Sequence, residues 1–406
     1  MVQQSTSNDA MFLPISFNWD ETVFEAKIFN TYEPWPKNVN DFTINSQEFS
    51  LHPTYLKTKH RDTQPVYLMV IYENKQILGI ASIYQAKADL KLPGEQLTQN
   101  KVAQWLYDFV VHPLFKNKKV LFLGSLFISG DGGNYCHHNS DLHRWHKILL
   151  AGFTEWNIAN QKHHKSIGWL GIDLCFQPKC LHRERNHVSI KFEPTMELSL
   201  EEYKNFEQYK NSLKAKYRTK LNKAMELGEG LIIRRLTAED VEDNQVRLKS
   251  LFEQVKSRSK YYGGDYDISD LITINKNFDN AYTTGFYRFG VMIGFSTTII
   301  CKGVYIAHMI GMDYKISKSV SLYENILYHY IKESIAARCL NLNLGRTALI
   351  IKSGLGATPY NYHCCLQFNK CWWHKIGTYV APKLAIKIPE LRTALKYYEN
   401  EEPVFN

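Results

Sequence analysis

The sequence predicts an α/β (α+β) fold made of two tandem domains, of which the second is the better formed. The order hairpin, strand, helix, strand occurs once between residues 66 and 198 and again between residues 200 and 370. The chain of 406 residues, with 44% hydrophobic and 13% aromatic residues, can bury two cores of ordinary size. The expected parts are an N-terminal arm over 1–65, a degenerate first domain over 66–199, a second domain over 200–370 and a tail over 371–406.

Composition and charge narrow the possible classes of protein. Lys and Arg outnumber Asp and Glu by 49 to 40, a surplus that favours anionic ligands only where the basic residues cluster. The first ten residues lack a basic start and an apolar core, and the longest uncharged apolar run, Val291–Cys301, is too short to span a bilayer. We therefore expect a cytoplasmic protein. Its eight cysteines form no standard zinc spacing, so we expect reduced thiols and no metal.

The first half begins with a proline-rich stretch. Five prolines before residue 66 disfavour long helices, which predicts an extended arm lying over the first domain. The predicted elements that follow are a hairpin of Val66–Tyr72 and Gln76–Tyr84, a helix over Val102–Val110, a strand over Val120–Ile128, a helix over Leu142–Trp156, and strands over Ile167–Leu174 and His187–Leu198.

A glycine-rich loop, Ser129–Gly133, follows the strand that ends at Ile128. It has the outline of a phosphate-cradling turn, because it connects a strand to a helix. It matches neither the Walker A pattern nor a complete Gly-x-Gly-x-x-Gly, and residues 134–140 separate it from the helix. A plain connecting loop is therefore favoured over a phosphate site.

A basic segment, Lys210–Lys223, opens the second half and contains six basic residues and no acidic one. On a helix that ends at Gly228, its apolar residues would form one stripe, flanked on one side by Lys216, Lys220 and Lys223. These three lysines could bind a phosphate-bearing substrate. A solvated amphipathic helix explains the pattern equally well, and the sequence does not decide between the two.

The rest of the second half centres on the buried strand Val304–Met312. Before it come a strand over Leu231–Leu236, a helix capped by Thr237 that runs to about Arg258, a helical segment over Ile268–Phe278, and a hairpin of Gly285–Phe289 and Val291–Ile300. After it come a helix from Leu322 to about Arg338, a strand over Leu340–Leu344 and a last strand over Tyr362–Phe368. The central strand, its helix and the next strand form a βαβ unit, whose ligands collect at the carboxyl ends of the strands.

This unit resembles the acyl-CoA-binding half of the GNAT N-acyltransferase superfamily. The resemblance lies in Gly311–Tyr314, Leu322–Leu327 and Leu344–Thr347, together with Lys352 and Gly356–Ala357. It is strongest to the two-domain branch with the Fem-type peptidoglycan bridge-building transferases and the BioF2-like acetyltransferases. It implies two tandem GNAT-like domains and a donor that is acyl-CoA or an acyl carrier protein.

The resemblance has one departure, in the loop that enters the helix. Ordinary members have the pattern Gln/Arg-x-x-Gly-x-Gly/Ala there, whereas this chain has Lys315–Val320 without a glycine. Lys315 and Lys318 could hold the donor's phosphates as point charges, with Ser319 beside them, so these three are the expected cofactor-binding residues.

Acyl transfer to an amine needs a base or an amine orienter, oxyanion donors and a group that protonates the leaving thiolate. Asp313, at the carboxyl end of the central strand, is the candidate base or orienter, and Tyr323 is the candidate proton donor. Lys352 is the candidate oxyanion partner, and Arg346 the candidate ligand for an acceptor carboxylate or phosphate. One cleft is expected to collect all four. His308, in the middle of the strand, is expected to be a core histidine.

Three functions remain open. The first is N-acyl transfer from acyl-CoA or an acyl carrier protein to a primary amine of a small molecule, an amino-lipid or a cell-envelope precursor. The second is Fem-type aminoacyl transfer from charged tRNA to a peptidoglycan precursor, in which the basic segment would bind the nucleic acid. The third is a non-catalytic lipid- or peptide-binding protein. The tail, with Trp372-Trp373 beside lysines, is compatible with peripheral contact at the inner membrane surface.

Overall fold

A computed structural model describes residues 12–88, 118–137, 141–174, 188–190, 192–258, 264, 266–370, 375 and 388–396. The helix predicted over 102–110 and most of the predicted tail lie outside these residues. Within them the chain forms two mixed β-sheets with helices on their faces.

Nine described strands form the first sheet, in the order β1-β2-β3-β4-β5-β7-β16-β8, with β6 paired to β4. They are β1 (Ile15–Trp19), β2 (Thr22–Asn30), β3 (Val66–Glu73), β4 (Gln76–Ala88), β5 (Lys118–Leu123), β6 (Asn134–Cys136), β7 (Gly168–Leu174), β8 (Val188–Ile190) and β16 (His363–Phe368). β5 and β7 are parallel, and the helix between them makes a βαβ crossover.

The helices of the first half include α1 (Lys37–Asn45), α2 (Pro53–Lys59), α3 (Leu142–Ala159) and α4 (Gln161–His164), and a 3-10 turn covers Phe49–Leu51. α3 confirms the helix predicted over Leu142–Trp156, and its fully buried Trp145, Phe153 and Trp156 form the core with the sheet. The stretch before residue 66 differs from the predicted arm, because it supplies two strands of this sheet and two helices.

Seven described strands form the second sheet, in the order β10-β11-β12-β13-β14-β9-β15. They are β9 (Thr195–Ser199), β10 (Ile232–Leu236), β11 (Ala281–Arg288), β12 (Val291–Cys301), β13 (Val304–Met312), β14 (Asn341–Asn343) and β15 (Thr358–Tyr360). β13 has the predicted bounds and is parallel to β14, so the predicted βαβ unit is confirmed.

The helices of the second half include α5 (Phe206–Ser212), α6 (Ala215–Leu227), α7 (Ala238–Asp243), α8 (Gln245–Lys256), α9 (Asp270–Asn277), α10 (Tyr314–Ser317), α11 (Leu322–Ala336) and α12 (Leu349–Ser353). Thr237 and Asp240 form the predicted capping box at the start of α7. The basic segment is two helices rather than one, because Leu213 and Lys214 are extended: Leu213 bridges to Leu395, and Lys214 N donates to Ala394 O.

The two halves of the chain exchange strands. β9 precedes residue 200 but pairs with β14 and β15 in the second sheet, while β16, predicted as the last strand of the second domain, pairs with β7 and β8 in the first. A single boundary near residue 199 therefore does not separate the two sheets. The exchange also means that neither sheet is complete without a strand from the other half of the sequence.

A buried ion pair joins the two halves. The Nζ of Lys59 lies 2.9 Å from Oδ2 of Asp270, and both side chains are at most 4% exposed. Three aromatic rings surround the same ammonium, at 4.9 Å for Phe127, 5.5 Å for Tyr55 and 5.6 Å for Tyr266. Because Phe127 belongs to the loop after β5 and Asp270 begins α9, this contact fixes the first-sheet loop against the second half.

Candidate functional site

The candidate site is the opening between β13 and β14. The two strands pair only between Val304–Ile306 and Asn341–Asn343. After Asn343 the chain turns to β9 instead, since Leu344 N donates to Met196 O and Met196 N donates to Gly345 O. On that edge, Ala307–Met312 therefore has no strand partner among the described strands, although its other edge is paired with β12. The result is an inner strand with an open edge at its carboxyl end.

A β-bulge at His308 begins this open stretch. Ala307 pairs with Thr298 and Met309 with Thr297, so His308 is the extra residue. The hydroxyl of Tyr330 on α11 lies 3.1 Å from Thr297 O and 3.3 Å from Met309 O, which holds the bulge from one face. Burial lowers the pKa of His308 to about 3. The imidazole is therefore neutral near pH 7 and is a weak base.

Asp313 lies where β13 enters α10. Its Oδ1 accepts a hydrogen bond from Lys315 N at 3.1 Å, and its Oδ2 lies 3.0 Å from Nη2 of Arg247 on α8. The Nε of Arg247 donates to Met292 O at 2.8 Å, and Oε1 of Gln254 accepts from Tyr314 N at 3.2 Å. Asp313 is thus at the predicted end of the strand, and its carboxylate also caps α10.

Sequence reasoning missed Arg247 and Gln254. With Leu251, which is fully buried, they occupy positions i, i+4 and i+7 of one helix face. Two polar side chains in line with a buried leucine are the signal that could have revealed them, because such groups are buried only where they find partners.

Tyr323 lies in the first turn of α11, close to Tyr314. Its hydroxyl makes no hydrogen bond to any residue that the structure describes. Burial raises the pKa of Tyr323 well above its ordinary value, and the neighbouring Glu324 raises it further. The phenol is consequently protonated at any working pH and is available as a hydrogen-bond or proton donor.

The expected anion-binding residues surround the start of α11. Lys315, Lys318 and Ser319 are exposed, and Ser321, in the N-cap position with φ of 44°, makes no side-chain cap. The side chain of Asn325 donates to Val320 O at 2.9 Å and to Ala224 O on α6 at 2.7 Å. The structure therefore brings the end of the basic helix α6 to the same helix start.

The predicted substrate-binding lysines of α6, Lys216, Lys220 and Lys223, are all exposed. α6 packs through the buried Leu221 and Ala224, which confirms the predicted apolar stripe. Asn325 contacts Ala224, and Lys223 is the residue before Ala224 in the chain.

Arg346 and Lys352 belong to a second cluster, between the two sheets. Arg346 forms an ion pair with Asp173, at the end of β7, and its Nε donates to Glu193 O at 3.0 Å. The Nζ of Lys352 donates to Gly345 O at 3.1 Å and to Arg346 O at 2.6 Å. These contacts divide the four predicted residues into two groups. Arg346 and Lys352 lie between the two sheets, whereas Asp313 and Tyr323 lie where α10 is followed by α11.

Comparison with solved structures gives the fold. A structure described as FemX aligns with a TM-score of 0.51 at 10% identity, over 85% of this chain and 98% of that chain. The C-terminal domain of a putative lysylphosphatidylglycerol synthetase from Agrobacterium fabrum aligns with a TM-score of 0.50 at 8% identity, over 88% and 98%. The chain has a two-domain GNAT-like fold of the Fem type. No protein-family model and no curated protein matches the sequence.

In this GNAT-like fold the glycine-rich loop contacts the second half of the chain, because the side-chain amide of Asn343 donates to Ser129 O at 2.8 Å. Gly130 N donates to Oδ2 of Asp173 at 2.7 Å, and Gly133 N donates to Oδ1 of Asp131 at 2.7 Å. A Cβ on Gly130, whose φ is 82°, would lie 2.6 Å from the side-chain nitrogen of Asn343. The glycine is required by this close approach, which agrees with the connecting-loop interpretation.

Asp173 is the third residue that sequence reasoning missed. It is fully buried at the end of β7, and it accepts from Gly130 while it pairs with Arg346. An aspartate inside a predicted buried strand was a visible signal, because aspartate is almost never fully buried unless it is paired.

Lys352 braces a strained turn in the GNAT-like second half. Thr347 and Ala348 have φ of 66° and 51°, a region that a β-branched residue rarely adopts. The two carbonyls that Lys352 binds lie just before these residues, and the side chain is 4% exposed. Burial lowers the pKa of Lys352 from 10.5 to about 7, and Glu193 opposes this shift.

The stability of the protein is expected to rise with pH because of the lowered pKa of Lys352. Between the folded pKa of about 7 and the ordinary value of 10.5, the unfolded state binds more protons than the folded state. The free energy of unfolding of the wild type, relative to that of Lys352→Met, should therefore increase by ~2 kcal/mol from pH 7 to pH 9. Urea unfolding of both proteins at several pH values measures this, and equal pH slopes would show that Lys352 titrates normally.

Within the described ranges, no group of three or more His, Cys, Asp or Glu side chains is arranged to hold a metal ion. The structure also gives no helix in the described part of the chain that is long and apolar enough to cross a membrane.

Proposed function

We propose that the chain is an N-acyltransferase that moves an acyl group from acyl-CoA or an acyl carrier protein to a primary amine. The observation that carries this proposal is the open edge of β13 over Ala307–Met312, which leads through the short helix α10 to the uncapped start of α11. The acceptor amine would belong to a small molecule, an amino-lipid or a cell-envelope precursor. The shared fold with a domain described as a putative lysylphosphatidylglycerol synthetase supports a lipid among these acceptors.

The open edge suits the arm of an acyl donor. Both proposed donors carry the acyl group on an extended chain with two amide groups, and such a chain can pair with a free strand edge as an added strand does. Unpaired backbone N–H and C=O groups inside a cleft need such a partner. The edge thus binds the part of the donor that acyl-CoA and an acyl carrier protein have in common.

The start of α11 suits the donor's phosphate. Its first backbone N–H groups have no side-chain cap, and the positive end of the helix dipole favours an anion. Lys315 and Lys318 are exposed beside it and add point charges in place of the glycines of the usual loop. Ser319 donates its hydroxyl to Ile316 O at 2.8 Å, so it shapes this loop.

The chemistry requires no covalent intermediate on the protein. The amine nitrogen bonds to the carbonyl carbon of the thioester, the carbon–sulfur bond breaks, the amine loses a proton and the sulfur gains one. We assign Tyr323 as the group that donates this proton to the sulfur. Its hydroxyl is protonated and makes no hydrogen bond to the residues that the structure describes. Asp313, which is held by Arg247, is the proposed orienter of the amine and the acceptor of the proton that the amine loses. Arg346 and Lys352 are engaged elsewhere and take no part in this proposal.

Replacement of both loop lysines tests the donor site. The double variant Lys315→Gln/Lys318→Gln is expected to bind CoA about tenfold more weakly in 50 mM salt, with a smaller difference at high salt, because exposed charges are screened. Isothermal titration with CoA measures this, and release of free thiol from an acyl-CoA panel with amine acceptors measures transfer. Lys332→Gln, an exposed lysine further along α11, is the matched control and should bind CoA as the wild type does.

Fem-type aminoacyl transfer from charged tRNA is the second candidate. It is favoured by the exposed lysines of α6, because this helix ends beside the start of α11. In that case tRNA should bind with a strong salt dependence, and CoA should not bind. Lack of binding to both CoA and tRNA would favour the third possibility, a non-catalytic lipid- or peptide-binding protein.

A further inference from the structure

Exposed apolar side chains lie at the turn between β11 and β12 and at the start of β10. Phe289 is 90% exposed, and Val291, two residues later, is 55% exposed. Ile232, on the edge strand β10, is 60% exposed and lies in register with Tyr287, two residues before the turn. We call this end of the sheet the tip surface: Phe289 lies in the turn, Arg288 and Val291 lie on one face of the sheet, and Ile232 lies on the other. It protrudes at one end of the second sheet and is not a groove.

Folding alone does not account for phenylalanine at this turn. Arg288 pairs with Val291, so Phe289 and Gly290 form a two-residue loop, with φ of 50° and 76°. Such loops strongly prefer Asn-Gly or Asp-Gly, since both residues need positive φ. Phe289 adopts this strained backbone conformation, although almost none of its ring is buried in the protein. The guanidinium of Arg288 lies 5.3 Å from the ring centre.

Cations lie around the tip surface. Arg288 is partly exposed on the hairpin itself, although its Nη1 is buried. Lys315 and Lys318 belong to the same end of the sheet, because Met312 pairs with Gly294, three residues after Val291. Lys220 and Lys223 lie on α6, which leads into β10. Glu226 and Glu229 oppose them in part, but the basic residues remain in excess.

We propose that the tip surface inserts into the interface of an anionic lipid bilayer. An exposed aromatic and two aliphatic side chains supply apolar area, and the surrounding cations match anionic headgroups. A convex turn fits a lipid surface, whereas a folded protein partner would need a complementary pocket. Docked in this way, the tip surface would bring the start of α11 close to the membrane. The proposal does not depend on transferase activity, because lipid binding needs no turnover.

The experiment is co-sedimentation of the full chain with vesicles. The wild type is expected to bind anionic vesicles made of phosphatidylcholine with about 30% phosphatidylglycerol. It should bind vesicles of phosphatidylcholine alone at least about tenfold more weakly. Phe289→Asn creates the preferred Asn-Gly turn, so the variant should unfold at the same temperature or higher, while its partition onto anionic vesicles falls at least about tenfold.

Two further variants make the result specific. Ile158→Asn replaces another exposed apolar residue, 61% exposed, at the far end of α3 and should leave vesicle binding unchanged. Phe289→Trp should keep binding, and lipids brominated in the acyl chain should quench its added fluorescence. Wild-type vesicle binding by Phe289→Asn would overturn the proposal. It would equally be overturned if the wild type ignored anionic vesicles and bound an acidic carrier protein through the same residues.

Discussion

Replacement of Arg346 with methionine is expected to lower the free energy of unfolding by about 3–5 kcal/mol. The change removes a cation from a carboxylate that is fully buried, and breaking one side of a buried pair costs about this much. Arg346 follows β14 and Asp173 ends β7, so their ion pair also connects the second sheet to the first. Urea unfolding followed by circular dichroism measures the loss.

The double variant Arg346→Met/Asp173→Asn is the control for this prediction. It removes both charges, and asparagine can still accept the hydrogen bond from Gly130 N through its carbonyl oxygen. It should therefore be more stable than the single Arg346→Met variant, and the difference gives the coupling of the pair. A loss below about 1 kcal/mol in the single variant would mean that the pair contributes no more than an exposed one.

Replacement of Tyr323 with phenylalanine is expected to lower the rate of acyl transfer by about a hundredfold or more. The hydroxyl is the proposed donor of the proton to the leaving thiolate, and a positioned acid contributes on that order. The donor's binding constant should change little, because the hydroxyl acts in the transition state. The readout is the rate of thiol release at saturating acyl-CoA and amine, compared with CoA affinity from titration.

Tyr328→Phe is the matched control for this experiment. Tyr328 lies on the same helix, is buried, and has a pKa that burial likewise raises. It is five residues further from the start of α11, so its loss should leave thiol release near the wild-type rate. Equal rates for all three proteins would remove Tyr323 from the mechanism and leave the cleft without its proposed acid.

The sequence predicted the local elements well because they depend on near neighbours. The bounds of β13 and the capping box of Thr237 follow from apolar patterning and from the contacts of one turn. The stretch before residue 66 differs from the predicted extended arm, because proline breaks a helix only in its interior. Pro36 and Pro53 instead lie at the N-cap and the first turn of α1 and α2, where proline is tolerated.

The strand exchange could not be predicted from local patterns. β16 reads as a strand in either sheet, and its partner β7 lies nearly two hundred residues earlier. The same limit affects the site. Arg346 stands just after β14, where ligands of open sheets collect, but its position does not reveal that Asp173 is opposite. Asp313 was found because its position at the end of β13 is a local property, whereas its partner Arg247 comes from another element.

Hydrogen exchange on the full chain tests the central claim, that an acyl donor lies along the open edge of β13. Saturating acyl-CoA is expected to slow exchange in peptides that cover Ala307–Met312 and the start of α11, because amides on the open edge would gain acceptors from the donor. Peptides of β3 and β4 in the first sheet should be unchanged. Unaltered exchange over Ala307–Met312, when titration shows that acyl-CoA is bound, would contradict the claim.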